Sequence, residues 1–239
     1  MRLFSALTLA ALVFPAASSA VQLRPEVAVG GWFLEARGTV TGTDIESLGF
    51  DRQKVQPEFR GAVQIGDRHH LEVSYLRIRR QEEGVVSGFI LGVLRFQDPV
   101  SLDIAIDDLR FRYGYSLLRG DWIEAEPFLE IGYVREESTT VEQALGQTSH
   151  QEESAVYPLP GLRIVFAPAF PVRLQASAAG IGTGSAHLID VQGGAELAFG
   201  YGFAGVGYRH LDALFRDDDD QEVADVRLDG VYLEGGVRF

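Results

Sequence analysis

Apolar and polar residues alternate along most of the chain, so that every second side chain is apolar. In "DLRFRYGYSL" (108–117), for example, leucine, phenylalanine and tyrosine alternate with aspartate and arginine. A period of two is that of a β-strand, whose successive side chains point to opposite faces of the sheet. The pattern therefore predicts an all-β chain whose strands have one apolar face and one polar face.

Two features favour a membrane barrel over a soluble β-sandwich, which would show the same alternation. The polar faces carry full charges deep within strands, and the apolar faces end in aromatic residues. These aromatic residues are Tyr75, Tyr115, Trp122, Tyr133, Phe166, Phe199, Tyr208 and Phe239. Aromatic girdles flank the lipid-facing band of outer-membrane barrels, and a sheet in lipid must close to pair its backbone groups. We therefore predict a closed antiparallel up-and-down transmembrane β-barrel.

Turn signals divide the alternating segments into ten strands, and eight is the alternative if a hairpin such as 172–199 is counted in excess. The predicted strands are 25–38, 54–66, 69–80, 99–118, 122–135, 154–166, 172–181, 186–199, 203–211 and 227–239. Long connections are predicted at 38–53, 80–98, 136–153 and 213–225, with short turns between them; the short segment 182–185 breaks this alternation. Outer-membrane barrels have short periplasmic turns and longer external loops, so both termini are expected on the periplasmic side.

The N-terminal segment has the features of a secretory signal peptide. It contains one positive charge, an apolar run and the small residues Ser18 and Ala20 at the end of "MRLFSALTLAALVFPAASSA". We predict a signal peptide over 1–20 with cleavage after Ala20, and a retained anchor is the alternative. Residues 21–239 then form a single barrel domain.

Composition narrows the range of partners. The net charge of −13 argues against nucleic acid, because phosphate contacts need a basic surface. The chain has no cysteine, which excludes a disulfide framework and thiol chemistry. No cofactor is predicted.

The final segment, "DGVYLEGGVRF", keeps the alternation to the last residue. Its apolar face, with Leu233, Val237 and Phe239, resembles the C-terminal signal by which outer-membrane barrels are recognised for assembly. With "VGYRH" and the closing "VRF", the whole chain resembles, in architecture, the small OmpA- and OmpW-like barrels of the bacterial outer membrane. The resemblance implies a monomer in that membrane, with lipids, lipopolysaccharide and the barrel assembly machinery as partners.

The polar strand faces are predicted to line the barrel interior with nearly balanced charges. The predicted interior charges are Glu58, Arg60, Glu72, Arg110, Arg112, Glu124, Glu126, Glu130, Arg163, Arg173, Asp190, Glu196, Arg209, Glu234 and Arg238. An open ion pore is expected to show a surplus of one sign, and a barrel of about eight to ten strands has little spare interior. We predict a salt-bridged plug, and a narrow water-filled passage is the alternative.

An acidic run in "RDDDDQEVAD" (216–225) is a candidate for weak cation binding. It contains Asp217, Asp218, Asp219 and Asp220. Oxygen-rich loops bind Ca²⁺ or Mg²⁺, but the spacing is not that of an EF-hand. We therefore predict a solvated acidic loop with weak cation association at most, and no metal site.

Enzymatic alternatives rest on weak motifs. Asp107, Asp108, His210 and Asp212 invite comparison with omptin-type proteases, which are ten-stranded and use acidic residues with a histidine near the outer rim. Barrel-type lipid A deacylases use a histidine and a serine two positions apart, and none of the five histidines here is followed by that serine. Ser149 and His150, with Glu152 or Glu153 as the acid, lie in a predicted loop, where catalytic geometry is poorly held. The chain is therefore predicted to be non-enzymatic, with an omptin-like protease or a lipid-modifying hydrolase as the lesser alternative.

The apolar segment "EEGVVSGFILGVLRF" (82–96) is predicted to lie outside the bilayer. An exposed apolar loop needs an explanation. It either folds over as a hairpin that continues its flanking strands, or forms an access site for a small hydrophobic ligand, lined by Leu102, Ile104 and Ile106. The leading prediction is thus a structural or surface-interaction barrel, and a narrow channel or conduit for small hydrophobic molecules is its rival.

Overall fold

A computed structural model describes residues 22–40, 43–44, 54–84, 89–91, 94–96, 100–142, 148–169, 171–182, 186–216 and 222–239. In these residues, ten long strands form one closed antiparallel barrel, in which each strand pairs with the next and the last pairs with the first. They are β1 (Leu23–Val40), β2 (Lys54–Ile65), β3 (His69–Gly84), β4 (Val100–Tyr115), β5 (Ile123–Glu142), β6 (Thr148–Ala169), β7 (Val172–Gly182), β8 (Ala186–Phe199), β9 (Gly202–Arg216) and β10 (Glu222–Arg238). The predicted closed all-β barrel with ten strands is confirmed, and the eight-stranded alternative is wrong.

Three short ladders accompany the barrel strands. Thr43–Asp44 pairs with the end of β1, Leu118–Arg119 pairs with the start of β5, and Phe89–Leu91 pairs with Leu94–Phe96 as a separate hairpin. That hairpin lies within the apolar segment 82–96. Among the described residues, no helix is long and apolar enough to cross a membrane.

The strand register makes the barrel strongly staggered. Followed once around the barrel from Arg24 on β1, the ladders return to β1 at Ala36, twelve residues further along. Such a stagger accompanies strands tilted by about 35–45° from the barrel axis. The tilt brings side chains that are distant in sequence to the same height in the lumen.

Tight turns connect the strands at the end of the barrel that holds residue 22 and the C-terminus. Gly66 and Gly200 occupy these turns with φ of 60° and 61°, in the left-handed region that glycine adopts without a steric penalty. We call this end the short-turn end and the opposite one the long-loop end.

Two of the predicted long loops are largely strand. Residues 136–142 continue β5 and pair with the start of β6, and β9 and β10 extend to Arg216 and back from Glu222. The prediction of loops over 136–153 and 213–225 was therefore wrong for most of their length. Residues 136–142 and 148–153 carry polar residues on both faces, so their sequences lack the apolar alternation that marked the other strands.

The outer surface is an apolar band with aromatic residues at the edge nearest the short-turn end. On β6, Val156, Leu162 and Ile164 are all more than 40% exposed on the outer face. The stretch 156–166 spans roughly 25 Å along the barrel axis at about 3.3 Å per residue and a tilt of about 40°, which matches the apolar band of outer-membrane barrels. At the short-turn end, Trp122 packs edge-on against Phe166, with ring centroids 5.4 Å apart.

Candidate functional site in the barrel lumen

Asp190 lies at the centre of an ion-pair network that crosses the lumen. Its carboxylate is 2.6 Å from the guanidinium of Arg110 on β4 and 2.6 Å from that of Arg209 on the neighbouring β9. Arg110 also contacts Asp108 at 2.7 Å and Glu130 at 3.1 Å. All five side chains are buried or nearly so, and every charge among them has a partner of opposite sign.

One further contact links strands across the lumen, since Arg209 reaches Glu58 of β2 at 3.7 Å. Along the wall, Arg112 joins its neighbours Glu72 of β3 and Glu130 of β5, at 3.3 and 2.7 Å. Buried charges are tolerated only when paired in this manner, because an isolated one costs several kcal/mol. The Arg209–Glu58 contact therefore helps the Asp190 network to hold opposite walls of the barrel together, whereas Arg112 links neighbouring strands.

A second group of ion pairs occupies the short-turn end. Arg238 donates to Glu26 at 2.6 Å and makes two parallel hydrogen bonds to Glu196, at 3.0 and 3.1 Å. Arg60 contacts Glu26 at 3.2 Å and Glu234 at 2.9 Å. The bidentate geometry exploits the fixed fork of the arginine side chain.

His70 takes part in this group through Arg163 and Glu126. Arg163 lies 3.0 Å from Glu126 and donates to Nδ1 of His70 at 3.2 Å, while that nitrogen is 3.4 Å from Glu126. Glu124 accepts a hydrogen bond from Ser116. Arg173, by contrast, forms no ion pair with any described residue, although it lines a cavity beside Arg163 and Arg238.

Aromatic rings cover the arginines. Guanidinium carbons lie over ring centroids for Arg112 on Phe128 (4.3 Å), Arg238 on Phe203 (4.8 Å), Arg209 on Trp32 (5.0 Å) and Arg110 on Tyr157 (5.9 Å). Arg209 and Trp32 are both buried, so this stack fills the middle of the lumen. Desolvated cation–π contacts of this kind contribute about 2 kcal/mol.

An apolar layer fills the lumen between the ion-pair network and the long-loop end. Its buried members are Trp32, Leu34, Leu76, Ile78, Leu211 and Ala213, with Ile106, Leu188, Leu228 and Tyr232 packed against them. These residues come from six different strands, so the layer extends around much of the inner wall. The interior is therefore charged in one part and apolar in another, rather than charged throughout.

Among the described residues, two cavities lie between the charged side chains. One of about 40 Å³ is lined by Arg110, Asp190 and Arg209, which leaves room for about three waters. The other, of about 140 Å³, lies toward the short-turn end beside Glu26 and Arg173. Arg60 and Glu72 line both cavities and so lie between them.

The structure places all fifteen sequence-predicted interior charges on the inner face, where each of them lines at least one of the two cavities. Sequence analysis did not include Glu26, which pairs with two arginines, or Trp32 and Tyr157, which face inward. Strand parity also assigns Leu76 and Ile78 to the same face as Glu72. That signal was present in the sequence and predicts the apolar layer.

The four residues of the protease hypothesis do not converge. Asp108 faces inward and bonds Arg110 and Tyr157, whereas Asp107 faces outward beside Tyr75 and Arg77. His210 also faces outward and contacts Asp229 at 2.6 Å, and Asp212 contacts His187 at 3.5 Å. These residues therefore lie on different faces and on strands far apart around the barrel.

Of the remaining candidate site residues, some lie in the described part of the chain and others lie outside it. Asp217–Asp220 lie outside the described residues, as do parts of the segment 82–96. Ile106, proposed to line an access site, packs against the apolar layer. Among the described residues, no group of three or more histidine or acidic side chains is arranged to hold a metal ion.

The C-terminal residues complete the barrel closure. Val237 and Leu233 lie in the β10–β1 ladder with outward side chains, and Phe239 donates its backbone N–H to Pro25 at 3.0 Å. The Phe239 ring stacks on Tyr201 with centroids 5.9 Å apart. The role of these residues in assembly remains a prediction.

Comparison with known proteins relates the chain to bacterial outer-membrane barrels. No protein-family model and no curated protein sequence matches it. The outer membrane protease OmpT from Escherichia coli superposes with a TM-score of 0.54 at 8% identity, over 94% of this chain and 99% of that one. Ail, the attachment invasion locus protein of Yersinia pestis, gives a TM-score of 0.44 at 12% identity, over 91% and 99% of the two chains. The Pseudomonas putida toluene transporter TodX gives 0.34 at 6% identity, over 92% and 90%. At these identities the likeness concerns the fold alone, which is that of an outer-membrane β-barrel.

Proposed function

We propose that this protein is an integral barrel of the bacterial outer membrane whose lumen does not conduct and whose role lies at its outer surface. In that membrane the short-turn end faces the periplasm and the long-loop end faces outward. The observation that carries the proposal is the tie from Arg110 through Asp190 to Arg209, which joins β4 to β8 and β9 across the lumen. The apolar layer above it adds a second barrier to ions.

The balance of charge supports the same function. Ion-selective pores keep a surplus of one sign along a hydrated wall. Here the arginines of the central network are engaged by carboxylates and covered by aromatic rings, so few of their donors are left for a passing ion. The cavity between them, of about 40 Å³, has room for only a few waters.

Conductance of the refolded protein in a planar bilayer tests the proposal. The wild type is expected to insert without producing steady current steps. The double variant Trp32→Ala and Arg209→Ala, which removes the central stack, serves as a widened control in the same assay. Uniform steps from the wild type would contradict the proposal and favour a channel.

A conduit for small hydrophobic molecules is the second candidate, and the apolar layer is the observation that favours it. Buried Leu34, Ile78 and Leu211 offer an apolar environment inside the barrel. On its side toward the short-turn end, however, the apolar layer borders the Asp190 network, where an apolar molecule would have to displace paired charges. A binding pocket closed at its inner end is thus easier to reconcile with the lumen than a through-route.

A protease or lipid hydrolase receives no support from Asp107, Asp108, His210 and Asp212, which lie on different faces. Activity that survives their replacement by alanine would exclude an omptin-like mechanism at these residues.

A further inference from the structure

The wall of the barrel is uneven between β6 and β7. Strand β6 pairs with β5 without interruption from Thr148 to Phe166, but its pairing with β7 begins only at Gly161. At the long-loop end β7 reaches only Gly182, which is level with Pro158 in this register, whereas β6 extends to Thr148. Among the described residues, 148–160 therefore have a strand partner on one side only.

Two prolines fix which backbone groups face the free edge. The ladder from β6 to β5 passes through Pro158 and Pro160, which have no N–H. An antiparallel ladder stays unbroken there only if the proline nitrogens face away from it, because alternate residues bond to opposite neighbours. The N–H groups at positions of the same parity, including Glu152 and Ser154, therefore face the free edge.

Most of the free edge stands beyond the apolar band. The prolines lie near the long-loop edge of that band, and residues 148–155 extend past it by about 26 Å of strand at about 3.3 Å per residue. This stretch contains no proline, and residues 152–156 are all exposed. An exposed edge of this length is a template for pairing with another extended chain.

The charge of the edge indicates which chain it suits. Glu136 of β5 and Glu153 of β6 lie directly opposite each other on the inner face, where like charges destabilise a sheet. No basic side chain of the described residues forms an ion pair with either. Partial desolvation of Glu136, and then repulsion from Glu153, raise its pKa. A basic side chain on a neighbouring strand would relieve the repulsion within this pair.

We propose that the outer edge of β6, residues 148–157, binds an extended basic peptide segment of a partner protein by strand addition. The backbone N–H and C=O groups of Glu152, Ser154 and Val156 supply the hydrogen bonds, and the Glu136–Glu153 pair receives a lysine or arginine. A second copy of the chain is a poorer occupant, because two such edges would bring their carboxylates together. The inference rests on the proposed function only in locating the role at the outer surface.

The test uses the full barrel in detergent micelles and a ten-residue peptide of alternating lysine and threonine. The control peptide replaces every threonine with proline, which keeps the charge but cannot form a strand. We expect the first peptide to bind at least tenfold more tightly, and to slow amide hydrogen exchange at Glu152 and Ser154 at least tenfold. Equal binding of both peptides, or unchanged exchange at these amides, would overturn the proposal.

Variants separate backbone pairing from charge. Ser154→Pro removes a donor from the free edge while leaving the β5 ladder intact, and is expected to weaken binding at least tenfold relative to Ser154→Ala. Glu153→Gln is expected to weaken it several-fold, whereas Asp121→Asn makes the same charge change in a turn at the other end of the barrel and is expected to have no effect. If Ser154→Pro fails to fold, the exchange measurement on the wild type still decides the matter.

Two other outcomes are informative. Concentration-dependent association of the protein alone, with protection of the same amides, would overturn the proposal in favour of a dimer. Bilayer conductance is independent of peptide binding, so a barrel that conducts and still binds the peptide would contradict only the proposed function.

Discussion

The carboxylate of Asp190 accepts a hydrogen bond of 2.6 Å from Arg110, although the two residues lie 80 positions apart and three strands separate theirs. The lumen is narrow enough for the two side chains to meet near its centre. The same carboxylate accepts two hydrogen bonds from Arg209, at 3.1 and 2.6 Å. Asp190 is therefore the group that pairs with two buried arginines at once, and the other carboxylates of the network balance the remaining charge.

Replacing Asp190 with asparagine is expected to destabilise the barrel by about 3 kcal/mol. This is at the lower end of the usual loss for one partner of a buried pair, because Arg110 keeps Asp108 and Glu130. Urea unfolding of the refolded protein, followed by tryptophan fluorescence, measures the change. The matched control is Asp67→Asn, since the Asp67 side chain is 78% exposed and that of Asp190 only 9%. Equal midpoints for the two variants would contradict a structural role for the network.

Glycines on the inner face make room for inward aromatic rings, and Gly132 provides a test. A Cβ at Gly132 would overlap the ring of Tyr157, whose hydroxyl donates to Asp108 at 2.9 Å. Gly132→Val is expected to cost about 1–3 kcal/mol through overpacking and loss of that hydrogen bond. Gly61→Val is the control, because a Cβ at Gly61 would meet nothing within 4 Å. Similar unfolding midpoints for the two valine variants would show that the ring yields without penalty.

Local alternation was sufficient to predict the strands and the inner face, because side-chain direction depends only on parity within a strand. Parity also assigned Leu76 and Ile78 to the lumen, and this apolar layer could have been predicted. The partners of each charge could not be predicted, since the contact between Arg110 and Asp190 depends on the stagger of the whole barrel. No local pattern encodes that stagger.

Strand ends were predicted less well than strand centres for a physical reason. Within the apolar band one face must be apolar, but beyond it both faces meet water and the pattern disappears. The extension of β5 and β6 over 136–153 was missed for this reason. Pro158 and Pro160 are a signal for an edge that the sequence analysis did not use, because proline is confined to positions where no ladder donor is needed.

The two tryptophans report separately on the lumen and the lipid. Trp32 is fully buried inside the barrel, whereas Trp122 is 56% exposed on its outer surface. In vesicles that contain a brominated hydrocarbon, Trp122 in a Trp32→Phe variant is expected to be strongly quenched. Trp32 in a Trp122→Phe variant is expected to keep most of its fluorescence, because the lumen is filled. Saturable quenching of Trp32 would instead support the conduit for hydrophobic molecules.

Deletion of Phe239 is expected to reduce the amount of folded barrel in the outer membrane several-fold. The residue closes the β10–β1 seam through its N–H bond to Pro25 and its stacking on Tyr201. The fraction of protein whose gel mobility changes on heating measures folding in cells. Phe199→Ala is the control, because Phe199 is an equally exposed aromatic residue of the same girdle, at 58% against 64%. If both changes lower the folded fraction equally, the effect belongs to the girdle rather than to a terminal signal.

The Glu136–Glu153 pair makes a pH-dependent contribution whose sign follows from the raised pKa of Glu136. A carboxyl group whose pKa is raised in the folded state contributes most to folding stability while it is protonated. The Glu136–Glu153 site is therefore most stable at a pH below the ordinary glutamate pKa of 4.5. Stability is lost as the pH rises from there through the raised pKa.

NMR titration of the Glu136 carboxyl carbon is expected to show a pKa above the ordinary value, and Glu153→Gln should lower it by removing the repulsion. Lysine–threonine peptide binding should strengthen over the same pH range, because the basic side chain needs an ionised partner. A titration of Glu136 at its ordinary value, unchanged by Glu153→Gln, would show that the two carboxyl groups do not interact and would remove the charge argument for a basic partner.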